Sequence, residues 1–433
     1  MKKKPEQINK VSVLTLGCAK NVVDSEHIIS DLKSVGIGYT QNIEESDAII
    51  VNTCGFIDSA KEESVQAIID ACHLKKNGIV RRVFVTGCLS ERYSEALKKQ
   101  IHGVDFYFGV NSFPEIVHNL TGGKSSCQTG NPRTLLTPKH YAYIKISEGC
   151  NHECSFCAIP SIRGTHVSRR IEEIVDEVRL LADNGTKEFI IIAQDTTLYG
   201  VDIYRRRMIS DLLERLSKID NVKWLRLMYA YPLSFPEKLA DVISRFPNIC
   251  NYVDLPLQHI SDKILRSMKR GSGSAKINKL LDMLRTKIPD LAIRTTFITG
   301  YPGETEEDFS RLLGFINEQK FARLGVFTYS HEDGTTAYKL KDTIPAKIKE
   351  ERRNLLMAAQ GEISLKKNKE LIGKNLNVLL DEVRNGLYYG RTQWDAPDVD
   401  NVVIIESKRN LHSGQFVEIT PNCADYYDLY ANL

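Results

Sequence analysis

No run of this chain is apolar for the roughly 18 residues that a membrane-spanning helix needs. The basic start, Met1-Lys2-Lys3-Lys4-Pro5, is not followed by the apolar stretch and cleavage site of a secretory leader, so the expectation is a cytoplasmic protein with no membrane partner. Glycine loops of the GxGxxG or Walker type do not follow its apparent strands, which disfavours a nucleotide-binding fold. Nor is there an excess of charge of one sign. Lys and Arg number 58 against 55 Asp and Glu, a net +3, so composition does not mark a nucleic-acid binder. The length of 433 residues suggests about three domains.

Cysteine, by contrast, is plentiful, at ten residues. In a reducing compartment such cysteines serve more readily as metal ligands or catalytic groups than as disulfides. Three of them lie in Gly149-Cys150-Asn151-His152-Glu153-Cys154-Ser155-Phe156-Cys157. A CxxxCxxC run can hold three irons of a 4Fe–4S cluster and leave the fourth iron open to a small molecule. Zinc is the competing reading, but it takes four ligands in paired halves. The nearest extra ligands are His152 and His166, and His152 lies between two of the cysteines, where its ring is poorly placed to share their metal.

Residues from about 10 to 120 repeat one pattern three times. Apolar strands Val11–Leu16, Ala48–Thr53 and Val83–Thr86 end at Gly17-Cys18, Cys54-Gly55 and Gly87-Cys88, and each leads into a helical pattern. Alternating strands and helices predict a parallel sheet, whose sites form beyond the carboxyl ends of the strands. Cys18, Cys54 and Cys88 would converge there as a second set of three thiolates. The alternative is three buried cysteines acting as small apolar residues. Thr121 to Pro138 reads as a linker, with Cys127 a bystander. Cys72, Cys250 and Cys423 read as structural.

From about 139 to 345 six strand–helix units predict a complete or partial (β/α)6 barrel of the TIM type. The strands are Tyr141–Ile146, Glu188–Ala193, Trp224–Tyr229, Tyr252–Leu255, Leu291–Thr299 and Leu324–Tyr329. Residues Ala346 to Leu371 predict a charged helix with Lys347, Lys349, Glu350, Glu351, Arg352 and Arg353 on a solvated face. From about 373 short alternating stretches between glycines predict a small all-β, OB-like barrel. The fold class is therefore α/β with a β tail, divided at 10–125, 136–367 and 369–433.

An open iron can take S-adenosylmethionine through its amino and carboxylate groups, and the bound cofactor can yield a deoxyadenosyl radical. Candidate contacts to that cofactor are Phe156, at the end of the cysteine loop, and residues at strand ends: Gln194, Asp195, Gln258, Arg294, Thr296 and Gly300. Thr305-Glu306-Glu307-Asp308 is better read as a helix cap, and His259 as a structural histidine.

At this point the chain resembles a known family. Thr15-Leu16-Gly17-Cys18-Ala19-Lys20-Asn21, Asn52-Thr53-Cys54 and Thr86-Gly87-Cys88 are similar to the N-terminal domain of radical S-adenosylmethionine methylthiotransferases. Glu148 through Pro160, followed by Arg163-Gly164, resembles their radical core, and the tail with Gly390-Arg391-Thr392 resembles their TRAM domain. Leu16 to Asn21 and Ala396-Pro397-Asp398-Val399-Asp400 resemble the branch that modifies an aspartate of the twelfth protein of the small ribosomal subunit, more than the branch that modifies tRNA. The resemblance implies a 3-methylthioaspartate product and two uses of S-adenosylmethionine. It also implies two 4Fe–4S clusters, with Cys150, Cys154 and Cys157 holding the catalytic one and Cys18, Cys54 and Cys88 the auxiliary one. An electron donor such as flavodoxin or ferredoxin and a sulfur donor are further expected partners. A non-catalytic iron–sulfur carrier is the rival from another class. The tail carries five basic and nine acidic residues from 373 onward, about −4 by subtraction, and such a module should attract a basic protein rather than nucleic acid.

Overall fold

The computed structural model describes residues 8–123, 133–271 and 273–433, so Cys127 lies outside the described residues. The chain forms two compact units. One takes in the described residues up to Leu136 with Gly149–Asn151 and Ala158–Thr165; the other takes in Thr137–Glu148, His152–Cys157 and His166–Leu433.

The first unit is built on a five-stranded parallel sheet in the order Gly38–Tyr39, Lys10–Thr15, Ala48–Thr53, Arg82–Gly87, Phe106–Tyr107. The central run Ala48–Thr53 is buried at every position, as a strand covered on both faces must be. One face packs Ile28, Leu32, Ile116 and Val117 against the sheet, and the other packs Ile68, Ala71, Leu89 and Leu97. The two outermost strands have two residues each, too few to show any alternation in sequence.

The second unit begins with six parallel strands in sequential order: Tyr141–Lys145, Glu188–Ile192, Trp224–Leu227, Ile249–Asp254, Ala292–Thr299 and Arg323–Thr328. A helix follows each of the last five, ending with Ala346–Lys369. The tail folds into a curled six-stranded sheet over residues 376–432. No helix among the described residues is long and apolar enough to cross a membrane.

The tail closes the amino-terminal end of the six-stranded array through buried charge. Arg391 donates to Glu188 Oε2 at 2.7 Å and to Asp381 Oδ2 at 2.7 Å, and Glu188 also accepts from Arg226 Nε at 2.8 Å. Arg226 reaches the Gln393 carbonyl at 2.7 Å, Arg323 Nε reaches Asp395 at 2.8 Å, and Tyr252 donates to Asp400 at 2.7 Å. Glu188, Arg226 and Arg391 are almost wholly buried. The acidic surplus of the tail is therefore spent in part as internal counterion: Asp381, Asp395 and Asp400 face cations of the same unit. Part of the surplus is thus not available to a basic partner.

The charged helix departs from expectation in the same way. Lys349 and Arg352 are buried, not solvated. Lys349 Nζ donates to Asp342 at 2.6 Å, and Arg352 Nη1 donates to Glu304 at 2.7 Å.

Burial alone would raise the Asp381 carboxyl, but the hydrogen bond from His140 and the charge of Arg391 outweigh it and hold its pKa below the ordinary value. A carboxyl held low contributes stability above its ordinary pKa and loses it as pH falls through the lowered one. Chemical denaturation of the whole chain should therefore show stability falling below about pH 5, and less steeply in Asp381→Asn. Arg391→Met, which takes a buried cation from two carboxylates and leaves them with Arg226 and His140 alone, should cost about 3 kcal/mol at neutral pH. An unchanged denaturation midpoint in Arg391→Met would show that the tail is only loosely attached.

Candidate active site

Cys18, Cys54 and Cys88 follow the carboxyl ends of three adjacent strands. The register pairs Thr15 with Asn52 and Thr53 with Gly87, so the three strands stop nearly level. Cys18 caps helix Ala19–Ser34, and Cys88 opens helix Cys88–Gln100.

The loops that carry them are packed too tightly for side chains beside the cysteines. A Cβ on Gly17 would lie 2.8 Å from Cys54 Sγ, and one on Gly55 would lie 2.7 Å from the Leu89 backbone nitrogen. One on Gly87, at φ +96°, would lie 2.4 Å from the Thr53 carbonyl oxygen. Glycine is required at Gly55 and Gly87 because neighbouring backbone lies in contact, and at Gly17 because the Cys54 side chain does. Burial pushes the Cys88 thiol up to about 11 and raises Cys54, while the nearby Arg163 guanidinium pulls both back. Among the described residues no three His, Cys, Asp or Glu side chains are gathered as for a single metal ion. The fit to an iron–sulfur cluster rests instead on the all-thiol donor set and on this glycine cradle.

In the CxxxCxxC loop, Gly149 sits at φ +77°, and a Cβ there would lie 2.1 Å from the Thr165 carbonyl oxygen. The Cys150 amide donates to the Gly164 carbonyl at 3.1 Å. Further on, the Cys157 amide donates to the Cys154 carbonyl at 3.1 Å in a tight turn. The Ser155 amide donates to the Met268 carbonyl at 3.0 Å, and the Ala337 amide donates to the Ser155 carbonyl at 2.7 Å. Phe156 packs against Ile264, Met268, Tyr301, Tyr329 and Ala337.

Arg270, which sequence reasoning missed, donates to Cys154 Sγ at 3.4 Å and lies 4.3 Å over the Tyr231 ring. His152 stacks on that same ring at 3.7 Å, and its Nε2 lies 2.6 Å from Asp195 Oδ2. His166 is paired with Ser168 Oγ at 3.0 Å. Both histidines raised as zinc ligands are thus engaged by other groups.

The strand-end residues separate into two kinds. Asp195 is buried, and its Oδ1 caps the next turn through Thr197. Arg294 is held by Asp254 at 2.9 Å and by Asp400 of the tail at 3.2 Å. Both are occupied within the protein. Gln194 donates its amide to Glu148, while its Oε1 is buried without a hydrogen-bond partner among the described residues. Gln258, at φ +73°, bridges to Thr296 through its amide at 2.8 Å. Gly300, at φ +73°, donates to Glu304 Oε2 at 2.8 Å, and a Cβ there would lie 2.2 Å from Lys349 Cγ. Glu304 is thereby locked between this turn and Arg352. Thr305 and Asp308 form the expected capping box, and His259 is wholly buried and accepts from the Ser261 amide at 3.0 Å.

A six-stranded parallel array with a CxxxCxxC loop just past its first strand defines the class of radical S-adenosylmethionine enzymes. Residues 144–316 match the Radical SAM superfamily, 10–109 match Uncharacterized protein family UPF0004, and 372–433 match the TRAM domain. That superfamily implies a 4Fe–4S cluster and S-adenosylmethionine. The chain is 48% identical to a protein of Flavobacterium psychrophilum named "Ribosomal protein uS12 methylthiotransferase RimO", covering 99% of each. It is also 48% identical to the protein of that name from Aquifex aeolicus, covering 97% of this chain and 96% of that one. The chain belongs to the RimO family of radical S-adenosylmethionine methylthiotransferases. Among solved structures, the radical S-adenosylmethionine methyltransferase TsrM from Kitasatospora setae aligns with a TM-score of 0.56 at 14% identity, covering 87% of this chain and 79% of that one. The cobalamin-dependent radical enzyme OxsB aligns with a TM-score of 0.53 at 10% identity, covering 82% and 56%. These two likenesses concern the fold alone.

The packing of the cysteine loops gives a direct test. Gly55→Ala should cost about 1–3 kcal/mol, because its methyl group meets backbone rather than a movable side chain. It should also lower the iron retained after anaerobic reconstitution. Parental stability and iron content in Gly55→Ala would contradict the tight cradle.

Proposed function

We propose that this chain places a methylthio group on the β-carbon of an aspartate in ribosomal protein uS12. What carries this reading is the near-full-length identity of 48% to proteins so named, combined with two separate sets of three cysteines in one chain. In it, Cys150, Cys154 and Cys157 hold the 4Fe–4S cluster that meets S-adenosylmethionine, and Cys18, Cys54 and Cys88 hold a second. When bound, the first cluster and its cofactor supply a carbon radical strong enough to take hydrogen from an unactivated carbon.

The chain's own residues then position and shield. Arg270 steadies Cys154 through a charged hydrogen bond to its sulfur. Gln194 offers an unsatisfied carbonyl oxygen to a hydroxyl or amino group of the cofactor. Gln258, joined to Thr296 by a backbone hydrogen bond, and Gly300 are the further strand-end contacts of this reading, although Lys349 fills the side of Gly300 that lacks a Cβ. Phe156 covers the cysteine loop on its apolar side. Asp195 and Arg294 serve as supports, through His152 and Asp254 respectively. S-adenosylmethionine is used twice, as methyl source and as radical source. A flavodoxin or ferredoxin supplies electrons, a separate donor supplies sulfur, and the work takes place in the cytoplasm. The functional boundaries in this reading are 10–125, 136–367 and 369–433.

Mass spectrometry of ribosomal proteins and tRNA, from cells with and without the gene, tests the substrate. The expected result is a methylthio group on uS12 only when the gene is present. A gene-dependent methylthio group on tRNA, with uS12 unchanged, would overturn it. Roles within the chain separate by variant. Cys154→Ala should abolish 5′-deoxyadenosine formation, whereas Cys54→Ala should retain cofactor cleavage and lose sulfur transfer. Equal loss of both activities in both variants would refute the division of labour.

A further inference from the structure

One side chain touches all three of the cysteine loops in the first unit. Asn21 is fully buried. Its Nδ2 donates to the carbonyl of Leu16, two residues before Cys18, at 2.7 Å, and to the carbonyl of Thr53, next to Cys54, at 3.1 Å. Its Oδ1 lies 3.9 Å from Cys88 Sγ and accepts from Arg163 Nη2 at 2.6 Å. The Asn21 amide donates to the Cys18 carbonyl at 2.9 Å, and its carbonyl accepts from Asn52 Nδ2 at 3.0 Å. Only a carboxamide supplies two donors and an acceptor from one small planar group. An aspartate there would offer no donor to Leu16 or Thr53.

Arg163 is also buried, and its Nη2 donates to Asp24 Oδ2 at 3.0 Å. One carboxylate balances one guanidinium. Three thiolates on a 4Fe–4S core of charge +2 would carry a net −1, rising to −2 on one-electron reduction, and a guanidinium against the buried Cys88 side of that site would favour the more negative state. We propose that Asn21 and Arg163 are positioning residues for the Cys18–Cys54–Cys88 cluster: Asn21 holds the three loops in register, and Arg163 provides the positive charge that the bound thiolates require. This rests on the reading that these cysteines hold a cluster. A cation near a cluster favours its reduced, more negative form and raises its potential.

The test uses full-length protein carrying Cys150→Ala, Cys154→Ala and Cys157→Ala, so that any iron present belongs to the other site. If this parent holds no iron after anaerobic reconstitution, the cluster assignment itself fails, and the inference with it. If it does hold iron, Arg163→Met should keep its far-ultraviolet circular dichroism and shift the midpoint potential negative. The expected shift is at least tenfold in the reduction equilibrium, about 59 mV for one electron. Arg163→Lys should restore most of it. Loss of iron from folded Arg163→Met but not from Arg163→Lys supports the same conclusion. Asn21→Asp, similar in shape but without donors, should retain less than a third of the parental iron. It decides the matter if Arg163→Met does not fold. Parental iron, electron paramagnetic resonance signal and potential in whichever of Arg163→Met and Asn21→Asp fold would overturn the proposal. Equal losses in folded Arg163→Met and Arg163→Lys would overturn the role of charge.

Discussion

A parallel sheet sends the carboxyl end of every strand the same way, and both cysteine sets depend on that constraint. Cys18, Cys54 and Cys88 are far apart in sequence, yet the registers of Thr15 with Asn52 and Thr53 with Gly87 bring their loops to one edge. The loop of Cys150, Cys154 and Cys157 likewise follows the first strand of the six-stranded array. Convergence alone would not suffice. Loops carrying ordinary side chains could not approach closely enough, and the places where a Cβ would strike backbone or the Cys54 sulfur are occupied by Gly17, Gly55 and Gly87. Steric clearance and strand direction together set the thiols in place; hydrogen bonds then hold them there.

The opposite end of the six-stranded array has a different problem. Its first layer carries Glu188, Arg226, Tyr252, Arg294 and Arg323, groups that are costly to dehydrate unless paired. The tail supplies the partners: Asp381, Arg391, Asp395 and Asp400, with the Gln393 carbonyl. An apolar plug would fill the same space and tolerate several orientations. Forked guanidinium–carboxylate pairs accept few. The Gly390-Arg391-Thr392 run reads as a module signature in sequence; in the fold Arg391 is the joint between module and barrel.

The longer strands, the cysteine placement at their ends and the capping box at Thr305 were legible because each leaves a local mark: apolar runs, glycine–cysteine ends, or a fixed spacing. The supporting residues were not. Arg270 sits in an ordinary basic run, and only the fold brings it to Cys154. Asn21 looks like one polar residue in the first turn of a helix, though its side chain spans segments at Leu16 and Thr53. Arg294 was misleading for a related reason. It lies on a barrel strand, as a cofactor contact would, but early in that strand, where its neighbour is the tail carboxylate Asp400. Position along a strand decides which end of a barrel a side chain serves, and the amino-acid type alone does not carry that information.

The charge of the tail makes the same point in energetic terms. A sum over residues treats every carboxylate as a surface charge acting through water. Asp395 is almost wholly buried against Arg323, and the Asp400 side chain is buried between Arg294 and Tyr252. Charges neutralised at contact distance project little field beyond a Debye length of about 8 Å. What a partner meets is the charge left over after such pairing. An excess of acid in a sequence therefore becomes evidence about partners only once the internal cations have been matched to their carboxylates. In this chain the match consumes a good part of that excess before any partner arrives.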